Sequence, residues 1–268
     1  DGSVDLSFME GVARDIAGAL SDTVTVTFRI VRQNLTTNIV IVDETRNGAG
    51  VPGSPNDEQV DAFYDTLFTG LNVTHVDYNV QGYVSPFDLK DAGVVMWHAD
   101  DRAEFKLADN TRILTEFLNR GGRLILSGWD VMSPFSNSAD SVGFSASSFP
   151  YVKLHSEYAV RNTARTGTGF SGHNNYPGCQ VDSSKVPASW ARTMDKLWTF
   201  RPRGECMVIG QLTVSNPGNP LEGRPAAYIY DLSFRVAVFG VPLYFCNTEQ
   251  VYNLFRHTPD PENPWRGI

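Results

Sequence analysis

A short apolar run bounded by glycines constrains the fold of this chain more than any other feature. Residues 121–130 read GGRLILSGWD, and the stretch 123–127 within them is typical of a buried central strand. Residues 109–119 carry apolar side chains on one helical face and predict a helix that ends at the paired glycines. In open α/β sheets ligands bind at the carboxyl ends of the strands, which is where Trp129 and Asp130 would emerge.

Strand and helix patterns alternate from residue 38 onward. Residues 38–43, 73–78 and 93–98 predict buried strands, and residues 57–68 and 104–119 predict helices. This alternation indicates parallel βαβ units with right-handed crossovers. We therefore expect an α/β fold, a three-layer, doubly wound, mostly parallel sheet of the flavodoxin type. Its first strand would lie in the middle, with helices on both faces. Residues 131–204, rich in Ser, Asn, Gly and aromatic residues, would form an ordered insertion.

Residues 1–37 follow a different pattern. Apolar and polar positions alternate over residues 4–8 and 23–29, as they do in half-buried antiparallel strands. Between them, ARDIAGALSD at residues 13–22 resembles the stretch before the final strand of fibronectin type III-like domains. We expect a short antiparallel β segment that is either the tail of an upstream β-domain or a hairpin that docks on the main domain, residues 38–268.

Composition limits the classes of partner. The formal net charge of −8 argues against nucleic acid, and no apolar run reaches the roughly 18 residues of a membrane-inserted helix. Lysine is scarce while Asn, Ser, Thr and Gly are plentiful, which favours an extracellular or cell-surface location. The three cysteines form no C-x-x-C motif, and a Cys179–Cys206 disulfide and free thiols are both compatible with the sequence.

Four segments together resemble a known family. They read NIVIVDE, DLKDAGVVMWHADD, LTEFLNRGGRLILSGWDV and RVAVFGVPLYFCNTEQ, and they resemble the class I glutamine amidotransferase-like family over residues 38–253. The likeness is greatest to the divergent branch found as modules of large secreted or surface bacterial proteins, beside fibronectin- or immunoglobulin-like domains. This resemblance implies the amidotransferase-like fold and implies that the partners are other domains of the same parent chain.

The chain departs from the catalytic members of that family at the nucleophile. In those members a cysteine follows the strand equivalent to residues 124–127, and its histidine and acidic partners lie near the end of the domain. Here the elbow reads Ser127-Gly128-Trp129, and residues 242–249 contain no histidine. The expected function is therefore a non-catalytic structural or ligand-binding module. The alternative is a hydrolase with a non-standard site, either Ser127 with His98 as its base or an acidic metal site.

Residues at the predicted strand ends are candidates for binding a small molecule or a carbohydrate. Four aromatic side chains could line a rim that stacks on a sugar ring: Trp97, Trp129, Tyr83 and Phe135. The candidate ligand-binding residues are Asp43, Trp97, His98, Trp129 and Asp130.

Acidic residues at the same ends are candidates for a metal site. Asp43 and Glu44 end the first strand, Asp100 follows the third and Asp130 follows the fourth. Convergent carboxylates repel unless a cation joins them, and oxygen ligands suit Ca²⁺ or Mg²⁺; we expect no other cofactor. The alternative is that Arg46, Arg102 or a helix N-terminus neutralises these carboxylates, and that Asp100 or Asp101 caps the following helix.

Overall fold

The chain forms two compact units, residues 1–34 and 35–268. The computed structural model describes residues 2–8, 24–30, 35–46, 55–101 and 105–257, with the first two segments as backbone only. In the first unit, strands β1 (Gly2–Phe8) and β2 (Val24–Ile30) pair antiparallel. Whether they are a domain tail or a docking hairpin stays a prediction. Residues 13–22, which carry the fibronectin-like motif, and Arg102 lie outside the described residues.

Strands dominate the second unit. Its described strands are β3 (Asn38–Asp43), β4 (Val73–Asp77), β5 (Ala92–Ala99), β6 (Arg123–Gly128), β7 (Ser141–Gly143), β8 (Ser156–Asn162), β9 (Gly167–Gly172), β10 (Cys179–Gln180), β11 (Leu197–Pro202), β12 (Met207–Val214), β13 (Pro225–Asp231) and β14 (Arg235–Phe239). Its helices are α1 (Asp57–Leu67), α2 (Tyr78–Gln81), α3 (Thr111–Asn119), α4 (Ser133–Ser136), α5 (Phe149–Val152) and α6 (Thr248–Arg256). Short 3-10 helices cover Leu107–Asn110, Ala188–Trp190 and Leu243–Phe245.

These strands form one large mixed sheet and one small sheet. The nine-stranded sheet has the order β10-β9-β12-β13-β14-β6-β5-β3-β4. From β14 to β4 neighbouring strands run parallel, whereas the pairs from β10 to β14 are antiparallel. The second sheet, β11-β8-β7, is antiparallel throughout. None of the helices in the described part of the chain is long and apolar enough to cross a membrane.

The fold class predicted from the sequence, a three-layer, doubly wound, mostly parallel α/β sandwich, is wrong. The chain is mostly β, with a mixed sheet and few long helices, and β3 lies next to the edge strand β4 rather than in the middle. The connections explain this. Residues 232–234 join β13 to β14 and residues 215–224 join β12 to β13. A parallel connection needs a crossover of about a dozen residues or more, so these short links leave only antiparallel pairing.

The two faces of the parallel strands pack against different covers. Ile39 and Ile41 of β3 share a core cluster with the apolar faces of α1 and α6. Val40 and Val42 share the opposite cluster with α3 and with residues of the small sheet. Because side chains alternate along a strand, Asp43 lies on the same face as Ile41, beneath α1, and Glu44 lies on the other.

Candidate functional site

Three polar side chains lie side by side where the parallel strands end. The register pairs Asp43 of β3 with His98 of β5, and His98 with Ser127 of β6. All three are buried, and they continue the face of the sheet that α1 covers. We call Asp43, His98 and Ser127 the strand-end row.

Helix α1 covers the Asp43 side of this row with a polar stripe. Asp57, Asp61 and Tyr64 are spaced i, i + 4 and i + 7, so they occupy one helical face. The Asn56 side chain caps the helix by accepting from the backbone N–H of Glu58 at 2.8 Å. The Tyr64 ring stacks on the imidazole of His98, with ring centroids 3.9 Å apart. Asp57 and Asp61 are half-buried, so the cluster is partly open to solvent on this side.

His98 lies between two carboxylates. Its Nδ1 is 3.0 Å from Oδ2 of Asp100 and 3.4 Å from Oδ1 of Asp43. Burial acts to lower the pKa of His98, but Asp43 and Asp100 outweigh it, and the pKa is raised above its ordinary value. Asp100 also accepts from the hydroxyl of Tyr64 at 2.9 Å and from the backbone N–H of Tyr244 at 3.3 Å. A protonated imidazole beside these carboxylates fits the contacts.

Three carboxylates meet beside the row. Asp43, Asp57 and Asp61 each present an oxygen within 4.8 Å of the other two, and we call this group the acid triangle. Burial raises the pKa of Asp43. Burial, and then repulsion from Asp43, raises the pKa of Asp57 to about 7. Burial and the charge of Asp57 raise the pKa of Asp61 in the same way. The geometry therefore crowds negative charge that a proton or a cation would relieve.

The hydroxyl of Ser127 forms hydrogen bonds with backbone groups rather than with the neighbouring His98. Its Oγ accepts from the N–H of Leu243 at 3.1 Å and donates to the carbonyl of Val241 at 3.4 Å. Among the described residues, no hydrogen bond joins Ser127 to His98. Both side chains are wholly buried. The segment that follows β14 thus closes over the hydroxyl that the sequence suggests as a nucleophile.

Glu44 and Trp97, two further predicted ligands, bind each other on the opposite face of the sheet. The indole Nε1 of Trp97 donates to one carboxylate oxygen of Glu44, and the backbone N–H of Lys106 donates to the other. Burial raises the pKa of Glu44 to about 7. Neither side chain belongs to the acid triangle, and Trp97 is too deeply buried to stack on a sugar.

Trp129 and Asp130 also serve packing contacts. Trp129 is buried against Phe245, and its Nε1 donates to the carbonyl of Asp195 at 2.8 Å. Asp130 has a left-handed backbone (φ 61°), accepts from Nε1 of Trp198 at 2.8 Å, and forms an ion pair with Arg161 at 3.0 Å. Of the predicted metal ligands Asp43, Glu44, Asp100 and Asp130, the structure places only Asp43 in the acid triangle.

The remaining predicted groups lie outside the cluster or pair elsewhere. Arg46 forms an ion pair with Asp101 at 3.1 Å, so the expected neutralisation by arginine occurs at that carboxylate. Tyr83 is exposed, and Phe135 stacks on Phe149.

All three cysteines are free thiols, so no Cys179–Cys206 disulfide is formed. Burial raises the pKa of Cys206 and of Cys246 to about 12, and it raises the pKa of Cys179 as well. None of these thiols is a ready nucleophile.

Sequence reasoning missed Asp57 and Asp61 as site residues. The pattern D-x-x-x-D at the start of α1 places both on one face, and α1 follows β3, the strand that carries Asp43. Combining those two facts would have placed the pair beside Asp43.

Comparisons with known proteins give no family for this chain. No family model matches it, and no curated protein matches it. Among solved structures, it is similar to a ThuA-like protein from Bacteroides uniformis at 12% identity and a TM-score of 0.46, covering 89% of this chain and 98% of that one. It is also similar to the mmIFT52 N-terminal domain at 9% identity and a TM-score of 0.44, covering 80% of this chain and 93% of that one. At such TM-scores neither similarity carries an argument about function.

Proposed function

We propose that this chain is a non-catalytic, ligand-binding module of a larger extracellular or cell-surface protein. One observation carries the proposal: the strand-end row is closed over Ser127 and His98 but partly open beside Asp57 and Asp61. A nucleophile must reach its substrate and must have a base within hydrogen-bond distance. Ser127 has neither access nor a hydrogen bond to His98. The half-buried carboxylates, in contrast, can meet a ligand from solvent.

A hydrolase is the second candidate, because the register brings Asp43, His98 and Ser127 together in the order of a catalytic triad. It would require the segment containing Val241 and Leu243 to release the serine hydroxyl. It would also require the imidazole of His98 to turn from the carboxylates toward Ser127.

The same proposal includes the partners of the chain and the class of ligand that it binds. The resemblance of residues 38–253 to amidotransferase-like modules supports other domains of the parent chain as partners. The net charge of −8 supports a partner other than nucleic acid. Because Trp97 and Trp129 are buried, a cationic or hydroxyl-rich small ligand fits the open side of the row better than a sugar stacked on tryptophan.

A serine-reactive fluorophosphonate tests the proposal. We expect the folded chain to remain unlabelled under conditions that label a serine hydrolase to completion, and Ser127→Ala to behave identically. Stoichiometric labelling that disappears in Ser127→Ala would refute the non-catalytic proposal and establish the hydrolase.

A further inference from the structure

Negative charge exceeds positive charge around the acid triangle. Among residues that the structure describes, no Lys or Arg lies within ion-pair distance of Asp43, Asp57 or Asp61, and the imidazole of His98 is the cationic side chain nearest to Asp43. The amino end of α1 contributes roughly half a positive charge near Asp57. With Asp100 on the other side of His98, four carboxylates surround one imidazole. A divalent cation would bring that sum close to neutrality.

A second observation concerns hydrogen bonding rather than charge. His98 is wholly buried; its Nδ1 lies within ion-pair distance of Asp100 at 3.0 Å and of Asp43 at 3.4 Å, and its Nε2 has no hydrogen-bond partner among the described residues. The Oδ1 atom of Asp57 is likewise buried without a hydrogen-bond partner in that part of the chain. Buried polar atoms nearly always have partners. The unpartnered carboxylate oxygen of Asp57, which belongs to the triangle itself, therefore points to a ligand there.

The ligand type and the open side of the triangle favour Ca²⁺. Ca²⁺ accepts roughly six to eight oxygens in a flexible arrangement, whereas Mg²⁺ demands a near-ideal octahedron. Asp43, Asp57 and Asp61 offer three carboxylate oxygens, all within 4.8 Å of one another, from a strand end and a helix. Because Asp57 and Asp61 are half-buried, water can fill the remaining ligand positions.

We propose that Asp43, Asp57 and Asp61 form a calcium site that links the end of β3 to the first turns of α1. This inference rests on the proposed binding function and deepens it by naming the ligand. Asp43 supplies the buried oxygen, and Asp57 and Asp61 close over the ion from the helix.

Thermal unfolding of the chelator-treated chain, titrated with CaCl₂ from about 10 µM to 10 mM at constant ionic strength, tests the site. We expect a saturable rise in Tm with one ion per chain in calorimetry, and a smaller rise with MgCl₂. Asp61→Asn should weaken calcium binding by about tenfold or more because it removes one ligand charge. In chelator it should raise Tm, because it relieves repulsion within the triangle.

Glu58→Gln is the matched control, since it removes one exposed charge from the same helical turn outside the triangle. It should leave calcium affinity unchanged. Absence of saturable binding, equal weakening by both variants, or a magnesium response as large as the calcium response would overturn the site. Labelling of Ser127 by the fluorophosphonate would refute the non-catalytic proposal instead, so the two failures are distinguishable.

Discussion

Removing the hydroxyl of Tyr64 tests how much its hydrogen bond to the buried Asp100 contributes to stability. Tyr64→Phe keeps the ring that stacks on His98 and deletes only the O–H that donates to Asp100 at 2.9 Å. Tyr228→Phe is the matched control, because that ring is also wholly buried and its O–H donates to the carbonyl of Leu154 at 2.8 Å. Burial raises the pKa of both phenols well above the ordinary value, so both are donors at neutral pH.

The two acceptors set the expected magnitudes. A hydrogen bond to a charged group contributes about 1.5–3 kcal/mol, and one between neutral groups about 0.5–1.5 kcal/mol. Asp100 is fully buried, so water cannot replace the lost donor. We therefore expect Tyr64→Phe to lower the free energy of unfolding by about 1–2 kcal/mol more than Tyr228→Phe does.

Urea unfolding at pH 8 in chelator, followed by tryptophan fluorescence, measures this difference from the midpoints at a common m-value. The chelator excludes any contribution from bound cations. A Tyr64→Phe variant no less stable than Tyr228→Phe would mean that His98 and the backbone of Tyr244 satisfy Asp100 without the phenol. The contribution expected for the Tyr64–Asp100 hydrogen bond would then be wrong.

Three further predictions concern packing, pH and thiol chemistry. Gly240→Ala should lower the free energy of unfolding in urea by about 2 kcal/mol or more, because the added Cβ would lie 2.0 Å from the carbonyl oxygen of Trp198. Gly204→Ala is the control: its Cβ would enter open space, so the free energy of unfolding should change by less than about 0.5 kcal/mol. Glu44 has a pKa of about 7 in the folded state, against an ordinary value of 4.5. Between these two pH values the folded state binds more protons than the unfolded state. The contribution of Glu44 to the free energy of unfolding should therefore fall by about 3 kcal/mol as the pH rises across that window. In chelator Glu44→Gln should show a shallower slope than the unsubstituted chain, because Asp57, whose pKa is also about 7, keeps its own contribution; an unchanged slope would contradict the burial argument. The Cys179 thiol should react with a disulfide reagent no faster than the chain unfolds, and rapid native labelling would show an accessible thiolate.

Local sequence patterns predicted the parallel strands well, because the residues at the ends of each strand or helix mark where that element begins and ends. The apolar run 123–127 corresponds to β6 (Arg123–Gly128), and the acidic start at residue 57 corresponds to the first residue of α1 (Asp57–Leu67). Strand direction is not local information. The residues of β12 (Met207–Val214) are compatible with parallel or antiparallel pairing, and only the lengths of the following connections decide. The error in fold class arose there.

The candidate site was predicted in part, and strand geometry explains the rest. Asp43 and His98 come together because their strands are neighbours with paired ends. Glu44 could not join Asp43, since consecutive residues of a strand face opposite sides of the sheet. Asp130 adopts a left-handed conformation beyond β6, which turns its carboxylate toward Arg161. That turn depends on tertiary partners far along the chain, so no local pattern indicates it.

Two segments cover the strand-end row: the link from β14 to α6 and the first turn of α1. These segments, rather than the row itself, decide whether the site is suited to catalysis or to binding. Asp43, His98 and Ser127 occupy adjacent positions at the ends of neighbouring parallel strands, and any short polar side chains there would converge. On one side, the short link from β14 to α6 brings Leu243 close enough for its N–H to occupy the serine oxygen. On the other side, α1 begins with carboxylates rather than apolar residues, which leaves a half-open, negatively charged entrance beside Asp43. A longer link after β14 would free the hydroxyl, and an apolar first turn of α1 would close the entrance, so these two segments determine what the same row of strand ends can bind.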